Sequence, residues 1–332
     1  VFSVVQKIEL WDIALGSVRE YFRGTGAREV STNCRSPEVA IEPFIEPISA
    51  SGQWLLTSPE LPMKRLLGAG SASIFQIAHV FRGGEIGDHH REEFHLCEWY
   101  RVRSSLRQMQ LDVETIVIGL SAALQREGFR ALDPPEQWES LPFLDLYASL
   151  GGVRLRGDES AEELAPEVGR LATVSGEQGS STWLEAIDDD EARCLAAWTE
   201  LFSRWSDQTL DPWLANRSPT RGLHLVDFPA PLAALAETNG ALAHRFESYW
   251  GGVELANCYR ELSDPLEQRR RFERVNEVRR AFGGELLPLP QLFLNSLEKC
   301  GLPEATCGAA MGLERTIGAV LRASLCDIVL ES

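Results

Sequence analysis

The segment Ile74-Phe-Gln-Ile-Ala-His-Val-Phe-Arg-Gly-Gly-Glu-Ile-Gly-Asp-His-His-Arg-Glu-Glu-Phe-His-Leu-Cys-Glu-Trp-Tyr-Arg101 reads as two β-strands folded back on each other. In the first arm Ile74, Ala78 and Val80 share parity with Arg82, while Phe75, Ile77 and Phe81 take the opposite side. In the second arm Phe94, Leu96, Glu98 and Tyr100 share one face, and His95, Cys97, Trp99 and Arg101 share the other. The connection is polar and glycine-bearing, which predicts a long antiparallel hairpin. An arginine closes one arm, and one face of the other carries an aromatic ring, a carboxylate and a phenol. That combination makes the hairpin a candidate site.

The 332 residues are 44% hydrophobic and 24% charged, enough to bury a sizeable core in one large domain or two ordinary ones. With no repeat and no low-complexity linker, one continuous domain is expected. Seven cysteines form no C-x-x-C pair, which points to reduced thiols and a cytoplasmic home rather than a disulfide framework or structural zinc. No apolar run is long enough to cross a membrane. A net charge of −17 leaves no general basic surface for nucleic acid. Arginines cluster only locally, in Gln268-Arg-Arg-Arg-Phe-Glu-Arg274 and Arg279-Arg280, where a solvated helix face is expected.

Before the hairpin, Val4, Ile8, Trp11, Leu15, Val18 and Phe22 recur at helical spacing and predict an amphipathic helix over 4–22. A short strand over 27–32, an irregular segment over 38–51, and a strand turning into a helix over 61–68 follow. After the hairpin comes a helix from about Asp112 to Glu127. Residues 130–220 read as helical patterns between acidic runs, as an insertion ahead of the next site-like segment. Leu223–Phe228 is then a strand, and Arg245–Asn257 a second hairpin turning at Gly251-Gly252. Glu247, Glu254 and Glu261 are seven apart, so strand parity must break once for all three to face one site. A bulge near Ala256–Asn257 is expected. A charged helix over 264–282 follows. Last, Gly308–Arg315 is a strand opening a helix over 316–324, with Arg315 at an N-terminus that favours anions.

Taken together, Thr57-Ser-Pro-Glu60 with Met63-Lys-Arg-Leu66, Phe81-Arg82, His90, Glu93-Phe94, Glu98-Trp-Tyr-Arg101, Glu254-Leu-Ala-Asn257, Glu261-Leu262 and Gly312-Leu-Glu-Arg315 resemble the class II aminoacyl-tRNA synthetase core. More narrowly they resemble the lysyl-tRNA synthetase-like enzymes that attach lysine or β-lysine to elongation factor P. The resemblance implies an α+β fold, an antiparallel β-sheet flanked by helices, usually a homodimer through the first helix and strand. It implies ATP and Mg²⁺ as cofactors. Arg82 would grip the α-phosphate and stabilise the charge developing there, with Arg315 as a second catalytic cation. Phe94 would stack on adenine, His90 would approach the terminal phosphates, and Leu255 and Gly312 would complete the ATP site. Glu247 and Glu254 would hold Mg²⁺. Ser58 and Glu60 would meet the α-ammonium end, while Glu98, Tyr100, Asn257 and Glu261 would line a pocket for a lysine-like side chain.

The sequence departs from this pattern at the hairpin tip. Gly83-Gly84 stand where relatives carry Asn-Glu, so the acid is missing unless a register shift supplies Glu85. His90-Arg-Glu-Glu-Phe94 replaces His-Asn-Pro-Glu-Phe, Asn33 replaces a proline, and Cys258 replaces a glycine. No anticodon-binding segment is expected ahead of the first helix, so tRNA is not the expected acceptor. The expectation is ATP-dependent activation of a lysine-like amino acid and transfer to an amine, a lysine of elongation factor P in the family. Two alternatives remain: a paralogue serving a carrier protein or small metabolite, and a catalytically silent amino-acid-binding regulator, which the two glycines would suit. A zinc set of His89, His90, His95 and Glu93 is disfavoured, because His95 lies on the opposite strand face from Phe94.

Overall fold

In the computed structural model, which describes residues 2–87, 90–174 and 186–330, the two predicted hairpins lie in one sheet. The strands are β1 (Arg28–Glu29), β2 (Arg35–Ser36), β3 (Ser49–Ala50), β4 (Gln53–Leu55), β5 (Ile74–Phe81) and β6 (Glu93–Arg101). They continue with β7 (Gln137–Pro142), β8 (Arg221–Pro229), β9 (Thr238–Asn239), β10 (Leu242–Trp250), β11 (Val253–Arg260) and β12 (Cys307–Gly312). The main sheet runs β1-β5-β6-β12-β11-β10-β8-β7, with β9 beside β10, while β2, β4 and β3 form a small separate sheet. Its interior pairings are antiparallel, and only the outer pairs β1–β5 and β7–β8 are parallel. The fold is therefore α+β, as expected.

Strand parity decides what each face does. Cys97 and Trp99 of β6 enter a core with Phe75, Ala256, Cys258 and Ala309, covered by helices Val4–Gly24 and Leu106–Arg126. The Phe22 and Phe75 rings stack there with centroids 4.5 Å apart. The opposite parity (Phe94, Leu96, Glu98, Tyr100) lines an open cavity, so one strand serves core and site at once.

The predicted helix stripe over 4–22 is buried only in its later part. Trp11, Val18 and Phe22 are buried, whereas Val4 and Ile8 are 64% and 55% exposed. The second helix begins at Leu106, earlier than Asp112, because Ser105 caps it by accepting from the Gln108 N–H. Asp112 is instead a fully buried junction. It accepts from the Tyr21 hydroxyl at 2.7 Å, the Trp99 indole at 2.9 Å and Arg101 Nε at 2.5 Å, tying both helices to the hairpin.

Within 130–220, helices Phe143–Ser149, Ala161–Val174 and Asp190–Trp205 build a second core with β8 around Trp198 and Trp205. The same region also supplies the edge strand β7. The arginine-rich helix Pro265–Ala281 is largely neutralised from within. Glu267 bonds Arg270, Arg271 and Arg274, and Arg279 is buried against Glu46.

Candidate active site

The second hairpin turns at Gly251 and Gly252, both in the left-handed region at φ 65° and 86°, as a two-residue loop with right-handed strand twist requires. Pairing then runs Tyr249 with Glu254 but Ser248 with Ala256, leaving Leu255 as the extra residue. The bulge thus sits one residue earlier than expected. Its effect is the expected one: Glu254, Asn257, Tyr259 and Glu261 all face the cavity.

That cavity has a volume of about 470 Å³ between the two hairpins. It brings together Arg82, His90, Phe94, Glu254, Leu255, Gly312 and Arg315 at one end with Ser58, Glu60, Glu98, Tyr100 and Glu261 at the other. Asn257 and Glu247 also line it. The sequence-derived candidates therefore converge.

At the amino-acid end, Glu98 is buried and accepts from the Ser58 hydroxyl at 2.6 Å and the Tyr100 hydroxyl at 2.5 Å. Burial, and next the neighbouring charge of Glu60, push its carboxyl up to about 8. A residue quoted in the sequence motif but given no role stands at the centre. Lys64, fully buried on helix Glu60–Gly68, places its Nζ 2.5 Å from both Glu60 Oε1 and Glu261 Oε2. Burial is the largest influence on Glu261 and raises it to about 7, despite the opposing charge of Lys64. Gly308 leaves room for this floor: a Cβ there would stand 2.2 Å from Glu261 Oε1 and 2.4 Å from Tyr100 Cε1.

At the other end, Arg82 bonds the Thr57 carbonyl through Nε at 3.2 Å and lies over the Phe94 ring at 5.1 Å. Arg315, third residue of helix Leu313–Leu321, has Nη1 3.4 Å from Glu254 Oε2. Past the two glycines, Glu85 places a carboxylate on the cavity lining 3.7 Å from Arg82. The glycines make this possible. Gly83 bridges to Glu46, its N–H donating at 2.7 Å, and Gly84 turns at φ 76° while its N–H donates to Glu92.

Two further residues escaped the sequence reading. Arg245, partly buried and sharing parity with Glu247, donates to it at 2.6 Å and to Asn257 Oδ1 at 3.3 Å. Asn257 also donates to the Tyr259 hydroxyl at 3.0 Å, so its amide braces the middle of the site. Glu42 is the second, a carboxylate on the cavity wall that burial raises above the usual range.

For a metal, Glu247 and Glu254 offer two carboxylates, and among the described residues no group of three or more His, Cys, Asp or Glu is arranged to hold an ion. Two carboxylates alone suit an ion such as Mg²⁺, which keeps several waters and takes other oxygen ligands from whatever it arrives with. Of the histidines considered for zinc, His95 is bound to Glu314 at 2.8 Å, and His89 lies outside the described residues.

Among the described residues no helix is long and apolar enough to cross a membrane. Comparison with known proteins agrees with the geometry. Three relatives are each called elongation factor P--(R)-beta-lysine ligase. The Pectobacterium atrosepticum protein is 33% identical over 95% of this chain and 91% of its own length. Those of Photorhabdus laumondii and Erwinia tasmaniensis are 30% and 32% identical, with the same coverage. The pattern of the tRNA synthetases class II (D, K and N) matches residues 4–329, and the chain belongs to that family.

Proposed function

We propose that this protein is an ATP-dependent ligase that activates lysine or β-lysine as an aminoacyl-adenylate and transfers it to an amine. The observation that carries the reading is a charge deficit. Glu60, Glu98 and Glu261 converge at one end of the cavity with a single internal ammonium, Lys64. Fully ionised, they leave two negative charges uncompensated in a buried floor, which is costly. A lysine-like amino acid brings two ammonium groups and restores neutrality.

In this reading a substrate carboxylate oxygen attacks the α-phosphorus and the bond to pyrophosphate breaks. Arg82 and Arg315 stabilise the charge on the phosphate oxygens, Phe94 stacks on adenine, and His90 meets the terminal phosphates. Leu255 and Gly312 shape the nucleotide wall. Glu254 and Glu247 would hold Mg²⁺, which would supply further neutralisation of the phosphates. An amine nitrogen then attacks the acyl carbon, the bond to AMP breaks with its electron pair, and the nitrogen loses a proton. Ser58 fixes Glu98, and Glu60 meets the amino group nearest the carboxyl.

The acceptor we propose is a lysine of elongation factor P, on the strength of the relatives' names, with no role for tRNA and a cytoplasmic setting. The matched span acts as one catalytic domain in which 130–220 buttresses the second hairpin. A homodimer through the first helix would cover the exposed Val4, Val5 and Ile8. ATP–pyrophosphate exchange screened across amino acids tests the core of this reading. Lysine or β-lysine is expected to support exchange. Exchange with another amino acid only, or none despite binding, refutes it.

A further inference from the structure

Beside the site lies a second chamber of about 190 Å³, room for roughly six water-sized groups at liquid packing. Glu42, Phe202, Leu235, Arg245, Asn257 and Tyr259 border both spaces, so the two adjoin through a common wall. Asn257 and Tyr259 stand on β11 between Glu254 at the nucleotide end and Glu261 at the ammonium end. The chamber therefore branches off mid-site, where an activated carboxyl would stand if the ligase reading holds. Its inner walls are apolar, built by Ile41, Leu232, Phe272 and Val275.

Among the described residues, two polar side chains in that wall have no hydrogen-bond or ion-pair partner. No hydrogen bond or ion pair within 4.0 Å reaches the Glu42 carboxylate; Arg82 and Arg245 act on it only from beyond contact. Gln268 is 1% exposed, yet neither its amide oxygen nor its amide nitrogen is bonded. The nearby cations are committed elsewhere. Arg271 binds the Ala234 and Ala236 carbonyls and Glu267, and Arg245 binds Glu247.

We propose that this chamber is the subsite for the acceptor, taking a primary alkylammonium arm. Its methylene stem lies among the apolar walls and its ammonium meets Glu42. The proposal rests on the ligase reading for the purpose of the arm. The chemistry is common to a lysine side chain of a protein and a free alkylamine.

The test compares Glu42→Gln, which keeps the shape, with Val275→Phe, which fills the chamber. Each is assayed for lysine-dependent pyrophosphate exchange and for transfer to elongation factor P, Nα-acetyl-lysine methylamide and n-butylamine. Both variants are expected to lower the ratio of transfer to exchange at least tenfold, through acceptor KM more than kcat. Loss confined to elongation factor P assigns the arm to a protein lysine, and equal loss with n-butylamine assigns it to a free amine. A ratio within twofold of wild type for Glu42→Gln overturns the proposal, as does exchange falling in step with transfer. Calorimetry with Nα-acetyl-lysine methylamide separates the two readings should wild type show no exchange. Binding abolished by Glu42→Gln keeps the chamber as an amine site, and absence of binding to wild type overturns it.

Discussion

Replacing Glu98 by Gln should separate recognition from stability, because the buried carboxyl serves one at the expense of the other. The variant keeps the shape and removes one negative charge from the floor. Removing one partner of a buried, hydrogen-bonded charge pair costs about 2–5 kcal/mol, which is a ~30- to ~4,000-fold loss of affinity for a lysine-like substrate. The stability effect has the opposite sign. In the folded, ligand-free protein this carboxyl holds its proton up to about pH 8, whereas an ordinary glutamate releases it near 4.5. The folded state therefore binds more protons than the unfolded one across that window, and wild-type stability falls as pH rises through it. Every tenfold difference in proton affinity between the two states is worth about 1.4 kcal/mol. The variant should therefore gain up to a few kcal/mol on wild type by pH 9, less about 1 kcal/mol for a disrupted hydrogen bond. Lysine titrations in the exchange assay and urea unfolding at pH 6 and 9 read the two effects. A lysine KM within threefold of wild type would show that Glu98 does not meet a substrate ammonium.

On the same reading lysine binding should release protons at neutral pH, since Glu98 near 8 and Glu261 near 7 must ionise for the floor to balance the added ammonium charge. Calorimetry in two buffers of different ionisation enthalpy should give different apparent heats; identical heats count against it. Gly308→Ala would push a methyl group into Glu261 and Tyr100, so lysine-dependent exchange should drop at least ~100-fold in a protein that still folds, overpacking typically costing about 1–3 kcal/mol. A normal lysine KM would refute the tight floor. Asp112→Ala strips four donors, Tyr21, Trp99, Arg101 and Gln108, of their shared acceptor and leaves Arg101 half-buried without its carboxylate. Loss of a buried partner of this kind costs about 3–5 kcal/mol, visible as a lower urea midpoint, and an unchanged midpoint would contradict the junction role.

The hairpin over 74–101 was legible because period-two alternation and side-chain chemistry coincided: core residues fell on one parity and site residues on the other. The carboxylates at 247, 254 and 261 were legible as a set because their spacing demanded a parity break. Its position was not, since bulge placement depends on how the turn at Gly251-Gly252 sets the register. Asp112 was read at a helix start, but donors from Tyr21, Trp99 and Arg101 hold its carboxylate in the core. Lys64 and Arg245 went unassigned for a similar reason. Each has one carboxylate close in sequence, Glu60 a helical turn before Lys64 and Glu247 two residues after Arg245, but the enclosure of these pairs and the approach of Glu261 to Lys64 come only with folding. Glu85 needed the local turn at Gly84, and Glu42 sits in a segment without periodicity. Chemistry carried by a regular element could be read in advance, whereas chemistry created by a loop could not.

The extra residue at Leu255 also acts as a spacer between two recognition events. On the proposed reading, β11 presents Glu254 to the nucleotide end ahead of it, and the chain just past the strand's end presents Glu261 to the ammonium end. The distance from phosphate to side-chain ammonium is thus measured along one continuous backbone. A strand is stiff, so this ruler does not stretch with the substrate. An amino acid one methylene shorter or longer would anchor at one end and miss at the other. Chain length is then discriminated by the strand itself, while the pocket floor discriminates charge.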